Sequence, residues 1–342
     1  MMKIMFVGDL NLGEYYTGFG HGPQTYAMNT GNSVFDDVKE IFDGADLVVG
    51  NLEAPITRNN DDLADPERCV LKVDPDCAFQ LAEAGVGLVQ VANNHVVQHG
   101  DSGFQDTLRT LDSLGVAYVG CNNQEPVIIN TLDEQKIAFF AASDVPDNTN
   151  KQQTQYQRLD EDFLQRVQES VASYDHVVVM LHWGLEASTV PLPYQREMTT
   201  RLKMAGVRAI IGSHPHLFYE IERDSNFVCA YSLGNFVFDL CWDSRLLKSG
   251  ILEVDFSSQP LQCKLWPVVL KKSGCLPTPS GSAMILQSTY SLYELGDGMK
   301  WQQLKKTVSF WSNIYKGNTR LKLRFFASKI YRILGRQEKA VS

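Results

Sequence analysis

Five short apolar runs, each stopping at residues able to bind a metal ion, constrain the folding of this 342-residue chain more than any other feature. Lys3-Ile4-Met5-Phe6-Val7 ends in Gly8-Asp9, and Leu47-Val48-Val49-Gly50 ends in Asn51-Leu52-Glu53. Leu88 to Ala92 runs into Asn93-Asn94-His95, Val177 to Leu181 into His182-Trp183-Gly184, and Val207 to Ile211 into Gly212-Ser213-His214-Pro215-His216. Runs this short and this apolar read as strands buried on both faces, the kind found in a parallel sheet covered by helices. Helical spacing between them predicts helices over 34–42, 76–84, 103–114, 160–174 and 194–205. Residues 13–31, 59–65 and 144–156 read as loops. Residues 127–131 and 136–142 read as a hairpin around Asp133-Glu134, 227–232 as a further strand, and 250–256 and 263–270 as late antiparallel strands. The fold class is α/β.

Taken singly, the strand ends say little. An Asp after a strand often caps a helix, Asn-Asn often makes a turn, and a lone His is more often structural than catalytic. Together they say more, because ligands of open α/β sheets bind beyond the carboxyl ends of the strands, where all five groups would converge. Pro215 fixes φ between two imidazoles and restricts His214 before it. Carboxylates, amide oxygens and imidazoles suit Mn²⁺, Fe²⁺, Zn²⁺ or Co²⁺. There are more ligands than one ion needs, and two divalent metal ions about 3.5–4 Å apart, bridged by a carboxylate, would use them all.

The order GD, NLE, NNH, HWG, GSHPH and then SLGNF, from Asp9 to about Phe238, resembles the CapA family of poly-γ-glutamate capsule-synthesis proteins. That family is similar to the calcineurin-like metallophosphoesterases. The resemblance implies a four-layer αββα sandwich of mixed sheets and a dinuclear centre. Carried over position by position, Asp9 matches the first-motif aspartate and would bind one ion, to which His216 would return. Glu53 looks like the acid replacing the bridging aspartate, with Asn51 the other candidate. Asn94, His182 and His214 would hold the second ion. His95 would not be a ligand; it is similar to the histidine that faces the leaving group as general acid or transition-state stabiliser. Two positions depart from the pattern. Asn11 stands where the wider superfamily has a histidine, and Gln98 where CapA-type sequences commonly carry an acid that would orient that histidine and raise its pKa. Asp101 is a nearby substitute for that acid. Asp239 reads either as an acid behind a ligating histidine or as a strand-end cap.

With 44% hydrophobic and 21% charged residues the composition is ordinary for a globular protein, and the length suits one large domain with an appendage. We place the site-bearing domain at 1–270 and a Gly/Pro/Ser linker with a basic amphipathic helical tail at 271–342. The net charge of −9 argues against general nucleic-acid binding. Seven scattered cysteines, with no CxxC pair, fit a reducing compartment. No signal-peptide pattern and no apolar run of about 18 residues occurs, so the expectation is a cytoplasmic protein, possible at the periphery of the membrane's inner face. From Lys300 onward there are eleven Lys or Arg and one acid, Glu338. Such a tail would contact an anionic membrane surface or a capsule-synthase partner, or else pack on the domain with a solvated basic face. Tyr15, Tyr16, Phe19 and Trp183 either line a cleft or belong to the core. The expected function is metal-dependent hydrolysis of an anionic polymer or phosphoester in capsule or exopolymer synthesis. The alternative is a non-catalytic, metal-binding assembly or export component.

Overall fold

The structure is a computed structural model that describes residues 2–59, 65–132, 134–292 and 302–341, the last ten by their backbone alone. Its strands run β1 (Lys3–Leu10), β2 (Leu47–Leu52), β3 (Val86–Gln90), β4 (Ala117–Val119), β5 (Val127–Asn130), β6 (Lys136–Ser143), β7 (His176–His182) and β8 (Ala209–Ser213). They continue as β9 (Phe218–Arg223), β10 (Val228–Leu233), β11 (Asn235–Val237), β12 (Lys248–Asp255), β13 (Gln262–Lys271), β14 (Leu276–Pro279) and β15 (Met284–Ile285). The helices are α1 (Pro23–Thr30), α2 (Lys39–Phe42), α3 (Pro75–Glu83), α4 (Gly100–Leu114), α5 (Glu161–Ser170), α6 (Pro193–Ala205), α7 (Gln302–Ser312) and α8 (Thr319–Val341).

The strands form two mixed sheets. One has the order β14-β13-β12-β1-β2-β3-β4, with β11 also on β1 and β15 also on β13; the other has the order β5-β6-β7-β8-β10-β9. Strand periodicity separates their faces. Ile4, Phe6, Val49, Leu88, Val178, Met180 and Ile211 form one buried cluster that joins the two sheets. The alternate positions Met5, Val48, Val89, Val177, Val179 and Ile210 pack instead with Leu81 of α3, Leu111 of α4, Val167 of α5 and Leu202 of α6. The result is the four-layer αββα sandwich of mixed sheets. Its helices start and stop where local chemistry requires: Asp160 caps α5 by accepting from Phe163 N at 2.9 Å, and Gly115 closes α4 in the left-handed region at φ 68°.

Register brings the strand ends together. Asp9 pairs with Asn51 on one side and Asn235 on the other, and His182 pairs with Ser213. The close approach of β8 to β10 requires a glycine. A Cβ on Gly212 would sit 2.0 Å from the Tyr231 carbonyl oxygen and 2.6 Å from Trp183 Nε1. Gly212→Ala is therefore expected to destabilise the protein by about 3 kcal/mol and lower Tm by roughly 5–10 °C, through overpacking against backbone that cannot retreat. Thermal denaturation checks this; an unchanged Tm would show that the two strands can part.

Several elements differ from the sequence reading. The expected 13–31 loop contains α1, which has Pro23 in its first turn and no side-chain cap. The 34–42 helix is a 3₁₀ turn followed by the four-residue α2. Strand β9, which the spacing did not single out, pairs antiparallel with β10. The stretch from 271 read as linker carries β14 and β15, both paired with β13, and Leu286 beyond them is buried. Most of the 59–65 loop and Asp133 of the expected hairpin turn lie outside the described residues, as do Lys300 and the side chains of Arg332, Leu334, Arg336 and Glu338. The tail packs in part on the domain. Phe325 is buried and stacked on Tyr16 at 4.5 Å, and Lys322 is buried with its ammonium on the carbonyls of Asn313 and Lys316 at 3.0 and 2.7 Å. Trp311 on α7, Tyr315 in the turn between the two helices, and Ile330 and Tyr331 on α8 are exposed. Among the described residues no helix is long and apolar enough to cross a membrane.

Candidate metal centre

All six sequence-named ligand candidates lie at one edge of the sandwich and all are buried. Two groups form there: Asp9, Glu53 and His216, and Glu53, His182 and His214, each with candidate ligand atoms within 4.8 Å of one another. Glu53 is common to both. Asn94 joins the second group, its Oδ1 lying 2.8 Å from His182 Nε2.

The imidazoles are held from behind. His182 Nδ1 lies 3.0 Å from Ser213 Oγ, which turns Nε2 toward Asn94 and toward Glu53 Oε1 at 3.9 Å. His216 Nδ1 is 2.9 Å from Asn235 Oδ1, and its Nε2 is 3.7 Å from Glu53 Oε1. On His216 an Nδ1–H donated to the Asn235 amide oxygen leaves the Nε2 lone pair free, the arrangement that suits a metal ligand, while on His182 the Ser213 hydroxyl can donate or accept and so serves either tautomer. Asn51 is bonded within the carboxylate pair: its Nδ2 donates to Asp9 Oδ1 at 2.8 Å, its Oδ1 accepts from Asn93 at 3.2 Å, and Glu53 Oε2 is 3.4 Å away. Of the two bridging candidates, it is therefore Glu53 that reaches both groups with a carboxylate oxygen. The backbone is strained at the histidine turn. His214 and His216 both have positive φ, 95° and 59°, on either side of Pro215. Non-glycine residues pay for that conformation and keep it mainly where surrounding structure enforces it, commonly at functional sites.

Three polar atoms at this point are buried without a hydrogen-bond partner: Asp9 Oδ2, Glu53 Oε1 and His214 Nδ1. Asp9 Oδ2 comes within 3.2 Å of His216 Nδ1 but does not form a hydrogen bond. Buried polar atoms are almost always paired, so two carboxylate oxygens and an imidazole nitrogen left orphaned at one site fit a cation donor set. The electrostatics agree. Burial, then the neighbouring Asp9, pushes the Glu53 carboxyl well above its usual range. Burial, then adjacent histidines, holds His182 and His214 well below theirs, so both are neutral and their lone pairs available near pH 7. Burial lowers His216 too, but Asp9, Glu186 and Asn235 together more than offset it and the net direction is up.

His95 stands beside these groups. Gln98 donates its amide Nε2 to the Val70 carbonyl at 3.0 Å, which turns its Oε1 to His95 Nδ1 at 2.7 Å. Asn148 Nδ2 approaches His95 Nε2 at 3.3 Å. Burial lowers the pKa of His95, with Gln98 opposing. Asp101 is turned elsewhere and accepts from Gln155 Nε2 at 2.6 Å. Asn11 is occupied away from the centre, its Nδ2 3.3 Å from Asp239 Oδ1 and its Oδ1 accepting from Gly13 N at 2.9 Å. Asp239 accepts from the Tyr15 backbone N–H at 2.8 and 3.0 Å, and burial pushes its carboxyl well up. It holds the Asn11–Tyr15 loop, while Asn235 is the residue behind His216.

A cleft of about 780 Å³ opens beside His95, with Tyr15, Tyr16, Gln98, Asn148, Lys306 and Phe325 among its walls. Of the aromatic residues named from sequence, Tyr15 and Tyr16 line it. Trp183 is core, fully buried and stacked on Tyr231 at 5.9 Å, and Phe19 is buried edge-on to Phe325. Sequence reasoning did not single out Ser213, Asn235, Asn148 or Lys306. Only Ser213 and Asn235 carried a signal, as parts of the GSHPH and SLGNF motifs.

A sulfate thiohydrolase, SoxB, from Thermus thermophilus, solved with glycerol, aligns over 84% of this chain and 56% of its own at TM-score 0.45 and 13% identity. The PGA biosynthesis protein CapA of Bacillus subtilis (strain 168) is 31% identical over 263 residues, 74% of this chain and 67% of the relative. The capsule biosynthesis protein CapA of Bacillus anthracis is 25% identical over 267 residues, 74% of this chain and 63% of the relative, so the chain spans about two thirds of the length of either. The profile of the family described as bacterial capsule synthesis protein PGA_cap matches residues 3–240, a span that contains all six ligand candidates and His95, and the chain belongs to that family.

Proposed function

We propose that the protein is a dinuclear, metal-dependent hydrolase acting on an anionic phosphoester or polymer substrate in capsule or exopolymer synthesis. The observation that carries this reading is the trio of orphaned buried atoms on Asp9, Glu53 and His214, set within two ligand groups that share Glu53. Asp9, Glu53 and His216 would hold one divalent ion, and Glu53, Asn94, His182 and His214 the other. Such a pair, when bound, lowers the pKa of a water and neutralises charge on the group being attacked. The chain's own residues do the rest. Ser213 orients the His182 ring, Asn235 fixes the tautomer of His216, Asn51 holds Asp9 in place, and His95 faces the cleft where a leaving group would depart.

A second reading, a non-catalytic assembly component that binds metal, is favoured by Asn11, whose side chain is spent on Asp239 and Gly13 and leaves the first ion three protein ligands. One experiment separates the two. Full-length protein from medium supplemented with Mn, Fe, Zn and Co is assayed for metal and for hydrolysis of bis-p-nitrophenyl phosphate and γ-glutamyl-p-nitroanilide. The hydrolase reading expects about two equivalents of metal and turnover that a chelator abolishes. Metal without turnover selects the assembly reading. Protein without metal refutes both.

A further inference from the structure

Helices α7 and α8 lie beyond the stretch that the family profile matches, yet they build one wall of the cleft beside His95. Lys306 of α7 lines both this cleft and a smaller adjoining pocket of about 100 Å³ that contains His216; Tyr15, Leu71, His95 and Asn148 are also common to the two. Its half-buried ammonium lies 4.7 Å from the ring centre of Tyr15, 5.4 Å from that of Tyr16 and 4.9 Å from that of Trp242, and donates to Tyr15 OH at 2.5 Å. Three aromatic rings hold a cation in place without neutralising it.

Among the described residues the other lysine side chains of these two helices are matched. Lys305 pairs with Asp243 at 2.5 Å, Lys329 with Glu67 at 3.6 Å, and Lys322 donates to two backbone carbonyls. Among the described residues no carboxylate comes within 4 Å of the Lys306 ammonium; Glu186 acts on it only from across the smaller pocket. Burial lowers the ammonium to about 8, which leaves it mostly charged at neutral pH. A held, partly desolvated cation with spare N–H donors and no anion is a receptor for one.

We infer that Lys306 is an oxyanion-binding residue of the cleft, receiving a phosphate or carboxylate of the substrate whose reacting group lies toward His95. This deepens the hydrolase reading and rests on it for the location of the reacting group. The tail is then part of the substrate site and not only an appendage to it.

The test uses full-length protein as purified, with Lys306→Met and Lys306→Arg beside the parent. Methionine keeps an apolar stem among the three rings; arginine keeps the charge. Inorganic phosphate and N-acetylglutamate are titrated calorimetrically, which distinguishes a phosphate from a carboxylate preference. The preferred anion should bind about 10- to 100-fold more weakly to Lys306→Met, the loss expected of one charge-assisted hydrogen bond, and near parental strength to Lys306→Arg, with metal content the same in all three. Equal binding by the parent and Lys306→Met, or no binding of either anion by the parent, overturns the inference. Metal content and turnover of the parent score the hydrolase reading separately. An active parent with an indifferent Lys306→Met removes only this inference, and an inactive parent whose anion binding depends on Lys306 removes only the hydrolase.

Discussion

Glu53→Gln is expected to empty both metal positions at once, whereas His214→Ala should empty one. Glu53 is the residue common to the two ligand groups, and its Oε1 is among the atoms left without a partner. Glutamine keeps the size and removes the negative charge that would be shared between two dications. Metal content should fall from about two equivalents to well below one, and hydrolysis by about 10³-fold, equivalent to about 4 kcal/mol of transition-state stabilisation. The same change has a consequence that does not depend on activity. Asp9 and Glu53 are both fully buried and lie within 4.8 Å of each other, an arrangement of like charges that destabilises the metal-free fold. In chelator, Glu53→Gln should therefore melt about 3 °C above the parent, while the rise in Tm that added metal gives the parent should vanish. A variant that still carries two equivalents would exclude Glu53 as the shared ligand.

The strand ends were legible because their signal is local. An apolar run that stops at Gly-Asp, Asn-Leu-Glu or His-Trp-Gly names both the strand and the chemistry at its tip, and α/β topology supplies the common edge. The apolar strands β1, β2, β3, β7 and β8 emerged for the same reason. What positions the ligands was not legible. Ser213 and Asn235 act on histidines 31 and 19 residues away, through a register that only the assembled sheets define. Asn11 stands at the motif position where the wider superfamily has a histidine, and the direction of its amide is set by Asp239, 228 residues later. The tail was ambiguous in sequence because the same basic, aromatic text serves a packed helix and an exposed one. The structure uses it for both, with Phe325 inward and Tyr331 outward. Lys306 belongs to this class as well, since its meaning comes from Tyr15, 291 positions earlier.

His95→Ala should separate chemistry from metal binding. The His95 ring is fixed by Gln98 and Asn148, so its loss should leave the two ligand groups intact and metal content unchanged. Turnover should fall by about 10²–10³-fold, the share a positioned proton donor usually supplies. The hydrogen bonds indicate how His95 works. The amide of Gln98 is anchored on Val70, so its oxygen faces Nδ1 and that nitrogen carries the proton in the neutral ring. To protonate a leaving group, Nε2 must gain a second proton, and the resulting cation finds an amide dipole beside it where a carboxylate would stabilise it better. A general acid whose pKa burial has lowered is charged in only a fraction of molecules at neutral pH, so turnover should fall as pH rises through that pKa. Gln98→Glu supplies the missing negative charge against Nδ1. It should move the basic limb of the pH–rate profile upward by about 1 pH unit, the lower end of what an adjacent opposite charge does, and raise the rate at neutral pH. The measurement is kcat against pH for the parent, Gln98→Glu and His95→Ala at saturating metal. A limb that stays in place in Gln98→Glu, or one that persists in His95→Ala, would assign the titrating proton to another group and leave His95 as a neutral hydrogen-bond donor to the transition state.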